Sequence, residues 1–471
     1  MGARISTASF SKASIEDFSK KVKEETELLR EWFLSKKIAQ TPHQVGFELE
    51  FSVLDKNFHP AHVNLNFIRA LSCHAVVPEL CKPSLEINTD YFNVEKDVLK
   101  RAKENLEHYW RLCESHARAQ DLNAIQIGIL PNSSLEDFNV KTFTELKRYS
   151  ELNENLTYYR HTLPFHLLIK MKDQLDLYQK DVGLMGATAA FQIHFRVGLD
   201  ESVPYYNASL LLAGPLLAVC SNSPFLLQKE LWEETRVPLF EQSINFKTNG
   251  FFQDRVSLGE QYISQSWMEL FDENLKFSPL LICHSPEKEP LLHLRFHNGT
   301  IHRWLRPVVD VSNINEPHLR IENRILPAGP SIEDMIANAA LYIGAMNFFA
   351  KESLPPEARL SFKQVKENFY AAARYGLDAY FHWGHHHHIP ADVFVHDFLI
   401  PAAHRGLQQL QVSQDDIDYY LNIIEQRLSC HKTGSIWQRY VAHKNKNNLE
   451  HLVEQYLEMQ YSQRPVYAWA S

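Results

Sequence analysis

The sequence lacks the features that mark disulfide-linked, zinc-bound or membrane-spanning proteins. Its six cysteines are scattered and include no CxxC pair, which favours reduced thiols over a disulfide framework or a zinc site. The amino terminus carries no apolar signal segment, and the apolar stretch at residues 210–220 is short and interrupted by Gly214 and Pro215. We therefore expect a soluble, cytoplasmic protein without a membrane partner.

The sequence also has no excess of positive charge. It contains 48 lysines and arginines against 57 acidic residues, which gives a net charge of −9 with histidine neutral. This balance argues against a general surface for nucleic acid or anionic membrane, so we expect no nucleic-acid partner. It leaves room for a nucleotide, because a bound metal ion can supply positive charge locally.

Several motifs for phosphate and hydrolytic chemistry are missing. The chain has no GxxxxGK[ST] loop, no GxGxxG after a predicted strand and no kinase catalytic-loop signature. The motifs HExxH and GxSxG are absent as well. If the protein handles phosphate, it must therefore do so with another arrangement of residues.

Two short motifs are present but carry little weight. The start, MGARIS, fits the loose pattern for myristoylation at Gly2, for which a chance match is the simpler explanation. The four histidines at residues 385–388 have no acidic partner nearby in the sequence, so we interpret them as an exposed polar turn rather than a metal site.

Hydrophobic periodicity divides the chain into three regions of one α+β domain. Residues 1–40 contain an amphipathic helix, residues 41–330 mix alternating strands with helices, and residues 331–471 are helical, with one helix predicted at 361–380. The sequence shows no internal repeat, low-complexity tract or long flexible linker. We therefore predict a catalytic sheet region with the carboxy-terminal helices packed on the same domain.

The segment VGFELEF at residues 45–51 places two carboxylates side by side. Its apolar residues alternate with Gly46, Glu48 and Glu50, and side chains two apart in a strand point the same way, about 7 Å apart. Like charges this close disfavour each other's ionised forms unless a positive group lies between them. The pattern therefore predicts a positive partner for Glu48 and Glu50.

Three further segments show the same alternation, with polar side chains suited to metal and phosphate. They are SLEIN at 84–88, FQIHFRV at 191–197 and HLRIENRI at 318–325. A solvated outer face would explain any one of them, but their polar faces together contain no lysine. Carboxylates and imidazole bind divalent cations, and guanidinium groups bind phosphate in bidentate fashion. If the strands are neighbours in one sheet, these faces form a binding surface for Mg²⁺ and nucleotide phosphates.

The order of six motifs resembles that of type 2 glutamate–cysteine ligases, also called the carboxylate–amine ligase family, in the glutamine-synthetase-like superfamily. The resemblance covers roughly residues 43–440 and implies a curved antiparallel sheet with flanking helices and a helical carboxy-terminal part. The motifs, in chain order, are GFELE (46–50), ELCKPSLEIN (79–88), QIHFRVG (192–198), SNSPF (221–225), LRIENR (319–324) and ARYGLDA (373–379).

This resemblance implies an ATP-dependent ligation. In the family, the side-chain carboxylate of glutamate attacks the γ-phosphate of ATP to give an acyl phosphate. An amine, cysteine in the best-known members, then displaces phosphate to form an amide. Two or three Mg²⁺ ions on the sheet would bridge the phosphates, and the partners of this chain would be glutamate and an amine acceptor.

The resemblance also implies roles for single residues. Arg324 would stabilise the transferring phosphoryl group, next to the catalytic Glu322. Arg236 would hold the substrate carboxylate, while Glu79, which follows Pro78, could equally be a turn residue. The implied metal ligands are Glu48, Glu50, Glu79, Glu86, His194 and Glu322. To these we add, from the polar strand faces and the segment WLRP, Arg196, Arg320 and Arg306 as phosphate-binding residues.

The sequence departs from the family pattern at one motif. Many relatives have His-x-His-Val-Gly, whereas Gln192 replaces the first histidine here and Arg196 is added before the glycine. This change could alter the binding of nucleotide or acceptor. Two other functions stay open, namely a phosphotransferase or metal hydrolase on the same acidic sheet and a catalytically lapsed binding protein. The sequence predicts neither the amine acceptor nor the oligomeric state.

Overall fold

The computed structural model describes residues 10–40, 42–248, 251–283, 289–313, 315–384 and 386–470. The motif at Gly2 and the first histidine of the run, His385, lie outside these residues. The side chains of His386 and His387 lie outside the description as well.

Helices and strands alternate over the first two thirds of the chain, and helices dominate afterwards. The helices are α1 Lys12–Leu34, α2 Asn64–Leu71, α3 Val98–Arg118, α4 Lys147–Tyr159, α5 Ser202–Cys220, α6 Arg236–Ile244, α7 Met268–Asn274, α8 Leu292–Asn298, α9 Ile332–Lys351, α10 Pro356–Arg359, α11 Phe362–Tyr375, α12 Ala391–Phe394, α13 Ile400–Gln409, α14 Gln414–Ser429, α15 Gly434–Lys444 and α16 Leu449–Tyr461. The strands are β1 Gln44–Leu54, β2 Val76–Pro78, β3 Ser84–Asn88, β4 Phe92–Asn93, β5 Asn123–Ile125, β6 Phe165–Lys170, β7 Gln174–Gln179, β8 Phe191–Val197, β9 Phe225–Leu226, β10 Lys229–Glu230, β11 Phe246–Thr248, β12 Phe251–Gln253, β13 Leu305–Asp310, β14 His318–Asn323, β15 Tyr380–Trp383 and β16 His386–Pro390.

One antiparallel sheet contains the four segments that the sequence singled out. In the described part of the chain, its central path runs β13–β14–β8–β1–β3–β2, and β4 and β5 also pair with β1. Side chains of β1 alternate between buried and partly exposed along almost the whole strand. The predicted curved antiparallel sheet with flanking helices is therefore confirmed, and the four polar segments are neighbours in it.

Helices α3 and α5 cover the apolar face of the sheet. Phe51 of β1 meets Trp110 of α3 edge to face, with ring centroids 5.4 Å apart. Phe195 of β8 stacks on Tyr205 of α5 at 5.7 Å. The same cluster of buried apolar side chains includes members from residue 18 in α1 to residue 424 in α14. The amino-terminal helix, the sheet and the helices as far as α14 thus share one core, whereas α15 and α16 pack in a second cluster with Leu54 and Ile125.

Helix α5 is buried on all sides, which explains its apolar composition. The helix begins at Ser202 and ends at Cys220, so it is longer than the apolar stretch at residues 210–220 that the sequence shows. The helical segment Leu199–Cys220 is long and apolar enough to cross a membrane, and 89% of its apolar window is buried inside the protein. Its Tyr206 hydroxyl donates a 3.0 Å hydrogen bond to the carbonyl of Leu305, which ties the helix to β13.

The predicted helix at 361–380 is shorter in the structure. Helix α11 ends at Tyr375, and Gly376 takes a φ of 55°, a conformation that favours glycine and ends the helix. The chain then forms the β15–β16 hairpin. The expectation of a turn over the whole histidine run is therefore wrong, because β16 begins at His386. The aromatic residues of β15 favour a strand over a helix.

Helix α1 is attached to α8 by one carboxylate. Glu25 accepts a hydrogen bond from His293 Nδ1 at 2.7 Å and another from the backbone N–H of Leu294 at 2.8 Å. Helix α8 has no side-chain cap from its own N-terminal residue, Leu291. Glu25 therefore supplies the acceptor that the first turn of α8 needs, and a carboxylate there also suits the helix dipole.

Helix α6 carries a partly buried carboxylate that is held by neutral donors. Glu241 accepts hydrogen bonds from Trp304 Nε1 at 3.0 Å and from the Tyr370 hydroxyl at 3.0 and 3.2 Å. Burial, together with the charge of Asp254, raises the pKa of Glu241 to about 7. Trp304 immediately precedes β13, which is the edge strand of the sheet. Since Trp304 is hydrogen-bonded to Glu241, the protonation state of Glu241 affects the stability of this edge.

We predict that the ligand-free protein loses stability as the pH rises through about 7. A carboxyl group whose pKa is raised by folding from 4.5 to about 7 stabilises the fold below pH 4.5, and that contribution disappears above 7. It amounts to at most about 3 kcal/mol. Urea unfolding between pH 5 and 8 should show a smaller pH-dependent loss in Glu241→Gln. The control Glu16→Gln, on the exposed face of α1, should follow the wild type, and identical slopes in all three proteins would contradict the prediction.

Candidate active site

The polar face of the sheet brings the predicted acids together through antiparallel register. Glu50 of β1 lies directly opposite Glu86 of β3. On the other side of β1, Glu48 lies opposite Gln192 of β8. Farther across the sheet, Glu322 of β14 pairs in register with His194 of β8. Side chains from separate segments therefore share one face because directly paired residues point the same way.

This face forms part of the wall of a cavity of about 640 Å³. Six of the predicted site residues line it, namely Glu48, Glu50, Glu79, Glu86, Arg306 and Arg324. Other lining residues with polar side chains are His74, Ser84, Asn88, Arg148, Tyr149, Thr188, Gln192, Thr300 and His302.

The four glutamates in this wall form the carboxylate cluster, defined as Glu48, Glu50, Glu79 and Glu86. Burial raises the pKa of Glu79 to about 7, and the negative charge of Glu50 adds to this effect. Burial likewise raises the pKa of Glu86 well above its usual range, with the charges of Glu48, Glu79 and Glu50 next in importance. The ionised forms of these carboxyl groups are therefore disfavoured unless a positive group joins the site.

His194 partly compensates one member of the cluster. Its Nε2 lies 3.1 Å from Glu48 Oε1, in a pair where the imidazole is 8% and the carboxylate 25% exposed. Burial would raise the pKa of Glu48, but the charge of the nearby His194 outweighs that effect and the pKa is lowered. Both ring nitrogens of His194 are buried, and neither has a partner with hydrogen-bond geometry among the described residues, so the contact with Glu48 is electrostatic.

The donor set of this wall fits a divalent cation. Among the described residues, no group of three or more His, Cys, Asp and Glu side chains is already arranged around one point. Mg²⁺ does not need such a group, because it is usually held by one or two carboxylates, several waters and substrate phosphates. The carboxylate cluster and His194, whose ring nitrogens lack hydrogen-bond partners among the described residues, are therefore the side chains that would hold it.

Glu322 is clamped between two arginines rather than turned to the cavity. Its Oε1 accepts from Arg306 Nε at 2.9 Å and from Arg324 Nε at 2.8 Å, and its Oε2 accepts from Arg306 Nη2. The carboxylate is 1% exposed. Burial would raise the pKa of Glu322, but the charges of Arg306 and Arg324 hold it well below its usual range. In this conformation Glu322 orients the two guanidinium groups that line the cavity.

Three predicted arginines, namely Arg196, Arg320 and Arg236, do not line the cavity. Arg196 pairs with Glu316 at 2.7 Å, and Arg320 lies 3.5 Å from Asp310. Both side chains belong to the polar face but lie toward its other end. Their assigned contact with phosphate remains a prediction.

Arg236 is buried beneath the site. Its guanidinium group contacts Glu234 at 3.3 Å and donates to the backbone carbonyls of Ile325 and Arg324 at 3.1 Å each. This arrangement supports the chain segment that carries Arg324. The predicted contact of Arg236 with a substrate carboxylate has no counterpart in the cavity lining and remains a prediction.

Arg148 and His302 are among the charged or titratable lining side chains that the sequence analysis missed. Arg148, in the first turn of α4, donates to the carbonyl of Pro78 at 3.3 Å, and its Nε is buried without a partner among the described residues. His302 precedes β13, and burial together with the charges of Arg324 and Arg306 lowers its pKa well below the usual range. Neither residue stands in an alternating strand pattern. For His302, the nearby segment WLRP was the one available signal.

A family model described as glutamate–cysteine ligase family 2 (GCS2) matches residues 44–456. No sequence among curated proteins matches the chain. Among solved structures, the glutamate–cysteine ligase of Francisella tularensis in complex with AMP is 10% identical, with a TM-score of 0.55 and 90% of both chains covered. A bifunctional glutathione synthetase from Pasteurella multocida is 11% identical, with a TM-score of 0.55 over 93% of this chain and 55% of that longer one. At these identities the structural likeness shows the fold alone.

We predict that Mg²⁺ stabilises the protein through the carboxylate cluster. A ligand at 100 times its dissociation constant contributes about 2.7 kcal/mol, so the melting temperature of a chain this long should rise by about 2–3 °C. Differential scanning fluorimetry with Mg²⁺ alone should show this rise in the wild type and less than about 1 °C in the double variant Glu48→Gln, Glu86→Gln. The control Glu95→Gln removes an exposed carboxylate that pairs with Lys96. Equal shifts in all three proteins would rule out the cluster as the binding site.

Proposed function

This chain belongs to glutamate–cysteine ligase family 2, and from that premise we propose that it is an ATP- and Mg²⁺-dependent carboxylate–amine ligase. The observation that carries the proposal is the cavity itself. One wall presents the four glutamates of the carboxylate cluster, and the same cavity exposes Arg306 and Arg324. A magnesium–triphosphate complex has complementary charges for both groups, because its metal suits the acids and its phosphate oxygens suit the guanidinium groups.

The reaction we propose has two steps. The side-chain carboxylate of glutamate attacks the γ-phosphorus of ATP, the bond from that phosphorus to the bridging oxygen breaks, and ADP leaves. The amine then attacks the acyl carbon, inorganic phosphate leaves with the electrons of the acyl–oxygen bond, and one amine proton is lost to solvent. Magnesium, when bound, neutralises phosphate charge during the first step.

The protein side chains supply binding and charge stabilisation. Arg324 and Arg306 would contact the transferring phosphoryl group, where preorganised positive charge lowers the barrier. Glu322 fixes both guanidinium groups, because its two oxygens accept from them. The neutral imidazole of His302, beside these arginines, offers a further hydrogen-bond donor to phosphate.

The acceptor would bind against the apolar part of the cavity wall. One face of α4 lines the cavity with Tyr149 and Leu152. Leu146, which immediately precedes α4, and Leu281 line it as well. Asn155 Nδ2 donates to the carbonyl of Leu280 at 2.6 Å, which fixes the segment beside α4. A wall of this kind supports an amine with a small apolar or thiol-bearing body, such as cysteine.

The proposed location is the cytoplasm. All six cysteines are free thiols, and four of them are buried. Burial raises the pKa of Cys81, Cys113, Cys220 and Cys283 to about 12 each, so these thiols are inert. A protein of this kind suits a reducing compartment, where glutamate, ATP and Mg²⁺ are also available.

We predict that ADP release requires both glutamate and an amine. Purified protein with ATP, Mg²⁺, glutamate and a panel of amines should release ADP and form an amide that mass spectrometry detects. Arg324→Ala should lower kcat by about 10²–10³, because it removes preorganised charge next to the phosphoryl group. Glu322→Ala should abolish turnover, because it releases both arginines from their fixed orientation.

The control for these variants is Arg111→Ala, which removes a 60% exposed arginine of α3. It should keep wild-type turnover. Phosphate release or a phosphorylated product without amide would favour the phosphotransferase or hydrolase alternative. Failure to bind magnesium–ATP in calorimetry would favour the binding protein. Full turnover in Glu322→Ala would remove the proposed mechanism.

A further inference from the structure

Gln192 connects the acidic and basic halves of the site. It lies on β8, is 2% exposed and lines the cavity. Its Nε2 donates to Glu50 Oε1 at 2.8 Å, and its Oε1 accepts from Arg324 Nη2 at 3.2 Å. A single amide therefore contacts one member of the carboxylate cluster and one of the two guanidinium groups.

The orientation of this amide follows from its neighbours. A guanidinium group can only donate hydrogen bonds, and an ionised carboxylate can only accept them. The amide oxygen must therefore face Arg324, and the amide nitrogen must face Glu50. The flipped orientation would place acceptor against acceptor and donor against donor.

Glu50 is oriented by a second donor from the same strand region. Its Oε2 accepts from the backbone N–H of Ala190 at 2.7 Å. Each carboxylate oxygen thus receives one hydrogen bond from the chain around β8. Each oxygen keeps a lone pair, because a carboxylate offers about four acceptor sites.

Arg324 and Glu50 attract each other across this amide. Burial raises the pKa of Glu50, and the charge of Arg324 opposes that effect without overcoming it. A guanidinium group and a carboxylate that contact each other directly form a bidentate pair. Such a pair would occupy lone pairs of Glu50 and Nη donors of Arg324, whose Nε is already bound to Glu322.

We propose that Gln192 is a positioning residue that separates Arg324 from Glu50, so that the carboxylate stays available to a divalent cation and the guanidinium group to a phosphoryl group. The amide satisfies both neighbours with one hydrogen bond each. It therefore replaces a direct ion pair that would neutralise the site. This inference rests on the proposed function, because it assumes that cation and phosphate bind here.

The first experiment measures Mn²⁺ binding, as a paramagnetic substitute for Mg²⁺, by electron paramagnetic resonance in the presence of a non-hydrolysable ATP analogue. Gln192→Met keeps the length of the side chain and removes both hydrogen bonds. We expect its Mn²⁺ affinity to fall about tenfold and kcat to fall at least as much, because Arg324 and Glu50 then pair directly. The KM for glutamate should change less than kcat.

A second variant separates positioning from simple packing. Gln192→Glu keeps the shape and the contact with Arg324 but cannot donate to Glu50 and adds a negative charge. We expect it to bind Mn²⁺ at least as tightly as the wild type while its kcat falls about tenfold or more. A residue with a merely structural role would not move affinity and turnover in opposite directions.

The matched control is Gln438→Met. Gln438 is also buried, and its Nε2 donates to the backbone and side-chain oxygens of Asn222 outside the cavity. It should lower the melting temperature without changing the Mn²⁺ affinity of the folded protein. Wild-type affinity and kcat in Gln192→Met would overturn the inference, as would equal losses in Gln192→Met and Gln438→Met. If Gln192→Met does not fold, an unchanged kcat in Gln192→Glu overturns it instead.

These outcomes are distinct from failure of the proposed function. If the wild type binds neither Mn²⁺ nor the nucleotide analogue, the proposed ligase is wrong and this inference falls with it. If the wild type binds both and the Gln192 variants behave like it, the ligase proposal stands and the positioning role is wrong.

Discussion

Electrostatic repulsion within the carboxylate cluster is the main constraint on the polar face of the sheet. Other groups of the protein compensate this repulsion only in part. Burial of an ionised carboxylate costs several kcal/mol unless a partner compensates for it. Three of the four carboxylates in the cluster have raised pKa values, with burial as the first cause in each case. This cost in the ligand-free state fits our proposal that a divalent cation binds here together with the substrate.

The sheet separates charge along its width. Strands β1 and β3 carry Glu48, Glu50 and Glu86, whereas β13 and the end of β14 carry Arg306 and Arg324 around Glu322. Strand β8 lies between the two groups in the strand order. The residues that it contributes, Gln192 and His194, each contact a glutamate of β1. The opposite charges of a metal–nucleotide complex match this division.

The sequence predicts the strand faces well and the rest of the cavity poorly. Alternation alone identified Glu48, Glu50 and Glu86, because a strand with one buried face must present its polar residues on the other. The same rule says nothing about α4 or the segment before β13, so Arg148 and His302 were missed. Their contact with the site arises from tertiary packing between elements far apart in the sequence.

Other differences have equally local causes. Glu322 alternates correctly with its neighbours, but its direction is decided by two arginines that only the three-dimensional structure brings into contact with it. The early end of α11 depends on the positive φ of Gly376, which a helical pattern of apolar residues does not reveal. The resemblance to the family supplied Glu79, and the structure has it in the cavity lining. Hydrophobic periodicity therefore predicts on which face of a strand or helix a side chain lies, but not which side chains contact it there.

The bond between Glu25 and His293 has a consequence for biosynthesis. These residues are 268 positions apart, so the first helix leaves the ribosome long before its docking site exists. At about 5–20 residues per second, that interval lasts roughly 13–54 seconds. Throughout it, the apolar stripe of the nascent helix, which includes Phe18, Val22 and Leu29, has no native surface to cover it. The segment is therefore a natural client for chaperones that bind emerging chains, and closure of this long loop belongs among the late events of folding.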